Sequence, residues 1–174
     1  TVAAGTACDN SAGTGTQTCN GNGDGALSAI VTGQGGTQSS EIFNFWKHLA
    51  NAGLIEGSYT GIRSSTGQRS STGGVNVPIS ASKAIWFADT GNDPGTSSSD
   101  FEYPGARNYL MLGLENPNSQ PGPRAFNPND VWNMDKKIDD GLPAKGKVRV
   151  SGHHALCADA SSVTDYDAEY NLDN

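Results

Sequence analysis

The sequence predicts an α+β fold in which two short helices and three or four short strands are separated by long loops. Apolar residues recur at helical spacing in two segments, and short apolar runs bounded by turn residues occur in three others. Glycine (23 of 174 residues) and other small polar residues dominate the rest, and only 34% of residues are hydrophobic. Three Trp, five Tyr and five Phe are nevertheless enough to anchor a core. We therefore expect an ordered chain with a small antiparallel sheet and long Gly/Ser-rich loops, folded as a single domain over residues 1–174.

The first predicted helix begins near Ser39 or Ser40, either of which can cap it. Its apolar stripe, at positions i, i+3, i+4 and i+7, consists of Ile42, Phe45, Trp46 and Leu49. Gly53 can adopt the left-handed conformation that ends a helix, and Leu54 can close the end with an apolar contact. The stripe predicts a helix that packs firmly against the rest of the chain.

Three segments are predicted strands. Residues 84–88 (AIWFA) form a short apolar run that the turn residues 90–95 cut off. Residues 108–114 (NYLMLGL) form a compact apolar run with turn signals on both sides. Residues 147–150 (KVRV) alternate between polar and apolar side chains, which is typical of a strand with one buried face.

The second predicted helix covers residues 128–140 and has both ends marked. Asn127 can cap its first turn, and Pro128 stands where a missing N–H costs nothing. Its apolar stripe consists of Val131, Met134 and Ile138. Gly141 supplies a left-handed stop, and the Leu142-Pro143 pair prevents the helix from resuming.

The loop CNGNGDGAL, residues 19–27, has the spacing of a calcium-binding loop. The predicted ligands are the side chains of Asn20, Asn22 and Asp24 and the main-chain carbonyl of Ala26. Alternate residues of a tight loop direct their oxygens to one centre, and Gly25 stands at the position where such loops turn sharply. Calcium is therefore the predicted cofactor.

The calcium loop departs from the usual pattern at its end. Val31 stands at the twelfth position, where an acidic residue normally binds the ion through both oxygens. Glu41 could complete the set of ligands from outside the loop, and Asp9 is a weaker candidate. The alternative interpretation is an Asn-Gly/Asp-Gly turn that binds no metal.

Charge and cysteine content limit the possible partners and compartment. The net charge is −7 with no basic cluster, which disfavours nucleic acid and anionic membrane surfaces. No apolar run is long enough to span a bilayer. Cys8 and Cys19 bracket a short Gly/Thr/Ser segment, so we predict a disulfide between them in an oxidising compartment.

The acidic residues of the second helix do not predict an active site. Asp135 and Asp139 are i, i+4 neighbours, and Asp140 follows, so the three could be taken for an acid–base cluster. Lys136 and Lys137 intersperse the run, and we predict a solvated charged face in which Asp140 makes a local hydrogen bond.

The histidines do not predict an active site either. His153 and His154 would point to opposite sides of a strand, which argues against a joint site with Cys157. His48 is better explained by a structural hydrogen bond than by metal binding. Because known catalytic motifs are also missing from the sequence, we predict that the chain is not an enzyme.

Two segments carry a resemblance to a known family. MDKKIDDGLPAKGKV, residues 134–148, resembles the D-x-K-I-D-D-G-x-P-x-x-G-x-V segment of bacterial pilin-like proteins, which are grouped with type IV pilins and type II secretion pseudopilins. SSEIFNFWKHLANAGLIEGSYTG, residues 39–61, is similar to the E-x-x-x-F-W-x-H-L-x-x-A-G-L-I-x-G-x-Y-x-G block of the same family. Together with the preceding loop, the resemblance covers about half of the chain, in the family's order.

The resemblance implies a filament subunit. It implies a globular pilin-like head, and a hydrophobic N-terminal helix that would precede Thr1 or be supplied by a separate helical chain. It also implies a further strand after residues 165–174, which could bring a partner for Cys157. The expected partners are copies of the chain or other pilin-like subunits, and membrane contact would come only through the missing helix. The expected location is a cell-surface filament or a periplasmic pseudopilus.

The alternative hypothesis is a secreted, calcium-dependent module that binds a glycan or a surface. Trp46, Trp86 and Trp132 could form an aromatic platform for a sugar. Two of these three lie in helical segments with apolar neighbours, so the sequence favours core or subunit contacts for them.

Overall fold

A computed structural model describes residues 24–27, 41–90, 108–151, 154–162 and 164–173. The regular elements within these ranges are α1 (Glu41–Asn51), β1 (Ile85–Thr90), β2 (Asn108–Gly113), α2 (Pro128–Ile138) and α3 (His154–Cys157). Strands β1 and β2 form a two-stranded antiparallel sheet. The predicted α+β class and the small antiparallel sheet are therefore confirmed, while the pilin-like form of the fold stays a prediction.

The described residues pack into two compact units. The first contains residues 24–27, 41–90 and 108–125, and therefore α1, β1 and β2. The second contains the described residues from 126 onwards, and therefore α2 and α3. The single domain expected from the chain's length stays a prediction.

The core of the first unit lies between α1 and the sheet. Phe43 of α1 and Phe87 of β1 are fully buried, and their rings meet edge to face with centroids 6.1 Å apart. The other buried members of this core are Ile42, Trp46, Tyr59, Val77, Ile85 and Ala88. The predicted packing of the first helix is thus confirmed, and the aromatic residues anchor it.

The buried face of α1 differs from the predicted stripe. Ile42 and Trp46 are buried as expected, but Phe43 is buried as well, and Phe45 is only half-buried. Lys47 is also buried, and desolvation lowers the pKa of its ammonium group. The predicted stripe contains too few residues, because α1 also buries residues that lie outside a single i, i+3, i+4, i+7 row.

The C-terminal end of α1 has the geometry of a Schellman motif. Gly53 has φ +69°, its N–H donates to the carbonyl of Ala50 at 2.9 Å, and the N–H of Leu54 donates to the carbonyl of Leu49 at 2.9 Å. The predicted glycine stop is therefore confirmed. The Leu54 side chain is 71% exposed, so the apolar contact expected of it covers little of its surface and stays a prediction.

The outcome for the strands is mixed. The segments 84–88 and 108–114 correspond to β1 and β2, and the pairing opposes Phe87 to Met111. The strand predicted at 147–150 is wrong, because this segment has no regular structure. The N–H of Val150 donates instead to the carbonyl of Pro143 at 2.9 Å. That bond folds the segment back on the preceding turn, and none of the described strands pairs with it.

Helix α2 begins as predicted and ends two residues early. The side chain of Asn127 accepts a hydrogen bond from the N–H of Asp130 at 2.8 Å, and Gly141 has φ +79°. The predicted apolar stripe is wrong as a description of the buried face, because Ile138 is 61% exposed whereas Asp135 is fully buried.

The core of the second unit is built from small side chains. Its fully covered members are Ala144, Ala158 and Ala168. The half-buried residues packed against them are Val150, Ala160 and Tyr166. A short antiparallel bridge between Ala158 and Tyr170 brings the last described residues beside the end of α3. Outside this cluster, the buried side chains of the unit include Pro143, Cys157 and Tyr170.

Candidate metal sites

The described part of the predicted calcium loop is a tight turn. The Oδ1 atom of Asp24 accepts a hydrogen bond from the N–H of Ala26 at 2.8 Å, and Gly25 has φ +77°. This is the kind of turn that the Asp-Gly sequence predicts. Asn20 and Asn22 lie outside the described residues, so the arrangement of the predicted ligands around one centre stays a prediction.

This turn is hydrogen-bonded to the end of the sheet. The amide of Asn108 donates to the carbonyl of Gly25 at 2.8 Å, while its Oδ1 lies 3.1 Å from the N–H of Leu27. Thr90, which opposes Asn108 in the sheet, places its hydroxyl 2.5 Å from the same N–H. The side chain of Leu27 then packs against the core. The sheet end thus fixes the position of residues 24–27.

The remaining predicted ligand and the predicted disulfide have different outcomes. Glu41 is the first residue of α1 and is half-buried. Cys8, Asp9 and Cys19 lie outside the described residues. Cys157 is buried in α3, and the partner expected for it from a further strand stays a prediction. The calcium site at residues 20–26 likewise stays a prediction.

The histidine argument also needs correction. Residues 154–157 form a turn of helix, so the assumption that this segment is a strand is wrong. His153 lies outside the described residues. His48 is half-buried in α1, and burial, assisted by the charge of Lys47, lowers the pKa of its imidazole.

Three carboxylates meet at the C-terminal end of α2. One oxygen from each of Asp135, Asp139 and Asp140 lies within 4.8 Å of the others, and this donor set could hold a metal ion. We call these three residues the acid cluster. The solvated face predicted for them is wrong for Asp135, which is fully buried, while Asp139 is half-buried and Asp140 is exposed.

Asp135 is held by a residue far along the chain. The hydroxyl of Tyr170 donates to Oδ2 of Asp135 at 2.9 Å, and both side chains are buried. The other oxygen, Oδ1, has no hydrogen-bond partner among the described residues. Burial raises the pKa of Asp135, assisted by the charges of Asp140 and Asp139, and it outweighs the lowering by the hydroxyl of Tyr170 and by the main-chain N–H of Gly141.

Main-chain donors fix the other two carboxylates. Oδ1 of Asp140 accepts a hydrogen bond from the N–H of Leu142 at 2.9 Å, which confirms the local role predicted for Asp140. Oδ2 of Asp139 accepts a hydrogen bond from the N–H of Lys147. Gly146 lies directly against the same oxygen, so that a Cβ atom at Gly146 would collide with it. Two N–H groups of the turn from 139 to 147 are thus hydrogen-bonded to the carboxylates of the same turn.

No lysine or arginine neutralises the acid cluster within the described residues. The ion pairs found there are Arg69–Asp89 in the first unit and Lys145–Asp167 in the second. The ammonium group of Lys136 lies over the ring of Trp132, 4.3 Å from its centroid, rather than against a carboxylate. The negative charge of the cluster is therefore uncompensated by these side chains.

The sequence carries one signal for the burial of Asp135. Asp135 lies four residues after Val131 and therefore falls within the apolar stripe of α2. A charged residue in that position indicates either a break in the stripe or a buried, partnered carboxylate. The partner, Tyr170, lies 35 residues away and carries no local signal.

No protein-family model, curated protein or solved structure matches the chain. None of the helices that the structure describes is long and apolar enough to cross a membrane. The site must therefore be interpreted from its own geometry and from the sequence.

Proposed function

We propose that the chain is a structural subunit, the globular head of a pilin-like or pseudopilin-like filament, and that it is not an enzyme. The observation that supports this proposal is the position of the two segments that carry the resemblance. Residues 39–61 include α1, whose side chains form the core, and its glycine cap. Residues 134–148 include the end of α2 and the turn that follows it. The residues that carry the resemblance therefore lie in the core and at helix ends, where they stabilise the fold. This is expected of a family whose members function by assembling into filaments.

We further propose calcium as the stabilising ion at the loop around Asp24. The loop carries Asn20, Asn22 and Asp24 at alternate positions, with Ala26 offering a carbonyl and Glu41 an additional carboxylate. The anchoring of residues 25 and 27 to the sheet end supports this role, because a bound ion would then order a glycine-rich segment that is already tied to the core.

The filament proposal is tested first at the gene. The sequence upstream of the codon for Thr1 should encode a short basic leader, a glycine cleavage point and about twenty apolar residues with an early glutamate. Immunogold labelling with antibodies against the described head should then decorate filaments or co-purify with a pseudopilus. An ordinary cleaved signal peptide, together with release of a soluble monomer, would refute the proposal.

One observation favours the second candidate, a glycan- or surface-binding module. Trp46 is buried in the core, but Trp86 points from β1 to the face opposite the core and is 36% exposed. Leu110 lies on the same face of the paired strand and is 56% exposed. A glycan-array signal that is lost in Trp86→Ala but kept in Leu54→Ala, an exposed apolar control, would support this candidate.

A further inference from the structure

We propose that the acid cluster binds one hard divalent cation, with calcium as the best-fitting ion, and that the bound ion holds the turn from 139 to 147 against the end of α2. This site is separate from the loop around Asp24 and lies in the other compact unit. It does not depend on the filament proposal, because it rests only on residues of the second unit.

The buried oxygen of Asp135 is the decisive observation. Asp135 is fully buried, and Oδ1 finds no hydrogen-bond donor among the described residues although Oδ2 is bonded to Tyr170. A buried carboxylate oxygen without a partner is costly, and native structures normally supply a donor, a counter-charge or an ion. Because both oxygens share one carbon, Oδ1 lies at or beside the point where Asp139 and Asp140 converge.

The charge of the acid cluster points to a cation rather than a neutral ligand. Three carboxylates approach within 4.8 Å, and like charges at such distances repel strongly when one of them is removed from water. Two of the nearby ammonium groups are engaged elsewhere, that of Lys136 over the ring of Trp132 and that of Lys145 on Asp167. Arg149 donates to the carbonyl of Gly146. A bound cation would remove the repulsion and supply the missing partner of Oδ1 together.

The spacing identifies the class of ion. Calcium binds oxygens at about 2.3–2.6 Å, so two ligands of one calcium ion lie at most roughly 4.6–5.2 Å apart. The mutual distances, none of which exceeds 4.8 Å, therefore lie within the range that two ligands of one calcium ion can span. Magnesium, with bonds of about 2.0–2.1 Å, would require the carboxylates to move closer or to bind through water. Hard oxygen ligands also disfavour zinc and copper, which prefer nitrogen or sulfur.

The main-chain contacts place the two outer carboxylates for binding. Asp139 and Asp140 each use one oxygen to accept a main-chain N–H, from Lys147 and Leu142 respectively. Their orientation is therefore set before an ion arrives, which lowers the entropic cost of binding. Gly146 permits this arrangement, since any side chain there would displace Asp139.

The test is isothermal titration calorimetry of the whole chain with calcium chloride after chelator treatment. The key variant is Asp139→Asn/Asp140→Asn, because asparagine keeps the side-chain oxygen that accepts each main-chain N–H and removes the charge. Asp130→Asn is the matched control, an identical change in the first turn of the same helix. Asp24→Asn reports on the separate loop. Circular dichroism verifies that each variant is folded.

We expect the double variant to lose one bound calcium ion per chain or to bind it at least tenfold more weakly. Asp130→Asn should bind as the wild type does, and Asp24→Asn should retain the ion that the double variant loses. The proposal is overturned if the wild type binds no calcium, or if the double variant binds as the wild type does. Should the double variant fail to fold, the single Asp140→Asn variant, at the exposed member of the acid cluster, decides by the same criterion.

Discussion

Replacing Tyr170 by phenylalanine should destabilise the second unit by removing one hydroxyl group. The change leaves the buried ring in place and deletes the donor that satisfies Oδ2 of Asp135. Since Oδ1 already has no donor among the described residues, the variant would leave the whole buried carboxyl group without a hydrogen bond in the described structure. The change in the free energy of unfolding therefore measures how much the hydroxyl of Tyr170 stabilises the buried carboxylate of Asp135.

The magnitude follows from the burial of both partners. A hydrogen bond to a charged group contributes about 1.5–3 kcal/mol, and stranding a buried acceptor costs about 1–3 kcal/mol. We expect Tyr170→Phe to lower the free energy of unfolding by about 2–3 kcal/mol in calcium-free buffer. The lack of metal matters, because a bound ion would offset part of the loss by mass action.

Urea denaturation followed by circular dichroism provides the measurement, with Tyr166→Phe as control. Tyr166 is a half-buried tyrosine of the same unit, and no side-chain hydrogen bond of its hydroxyl is found within the described residues, so its change should lie within about 0.5 kcal/mol. A double-mutant cycle with Asp135→Leu should show a coupling free energy of about 1–3 kcal/mol. Equal effects of Tyr170→Phe and Tyr166→Phe, or full additivity in the cycle, would refute the reasoning.

Three further predictions concern the first unit. Phe43→Ala should cost about 3–5 kcal/mol in chemical denaturation because it empties a fully buried site, whereas the exposed Leu54→Ala should change stability by less than about 0.5 kcal/mol. Gly53→Ala should cost about 1–2 kcal/mol, since alanine resists the φ of +69° there; an unchanged denaturation midpoint would contradict the cap. The lowered pKa of His48 means that the folded state favours the neutral imidazole. Its stabilising contribution should be complete above the unfolded-state pKa of about 6.5 and decrease as the pH falls through that value towards the folded pKa; an imidazole that titrates at or above 6.5 by NMR would contradict this.

The elements that the sequence predicted correctly are those with local signals at their ends. The cap at Asn127 and the glycine at Gly53 act on the neighbouring turn of main chain, so their effect can be inferred from a few residues. The strand predicted at 147–150 is wrong because a strand depends on more than local signals. Alternation describes which faces a strand would present, but a strand also needs a partner, and Val150 bonds to Pro143 instead.

The two candidate sites likewise differ in whether local sequence signals predict them. The loop around Asp24 was visible because the ligands of a calcium loop follow one another in sequence, and only its attachment to Thr90 and Asn108 required the fold. The acid cluster was dismissed because three acids with interspersed lysines are typical of a solvated helix face. What distinguishes it is the burial of Asp135, which depends on Tyr170 and therefore on tertiary contacts that no spacing rule contains.

The core clusters of the two units differ in composition. The first unit buries two phenylalanines and a tryptophan, each of which can contribute several kcal/mol. The second unit's core cluster is built on three alanines, and each buried methyl group contributes only about 0.8 kcal/mol. The buried ring of Tyr170 adds a larger apolar surface, and its hydroxyl donates to Asp135. In the second unit, the hydrogen bond of Tyr170 to Asp135 and an ion held by the acid cluster would act together with this apolar burial, because the same tyrosine contributes its ring to the buried residues and its hydroxyl to the carboxylate.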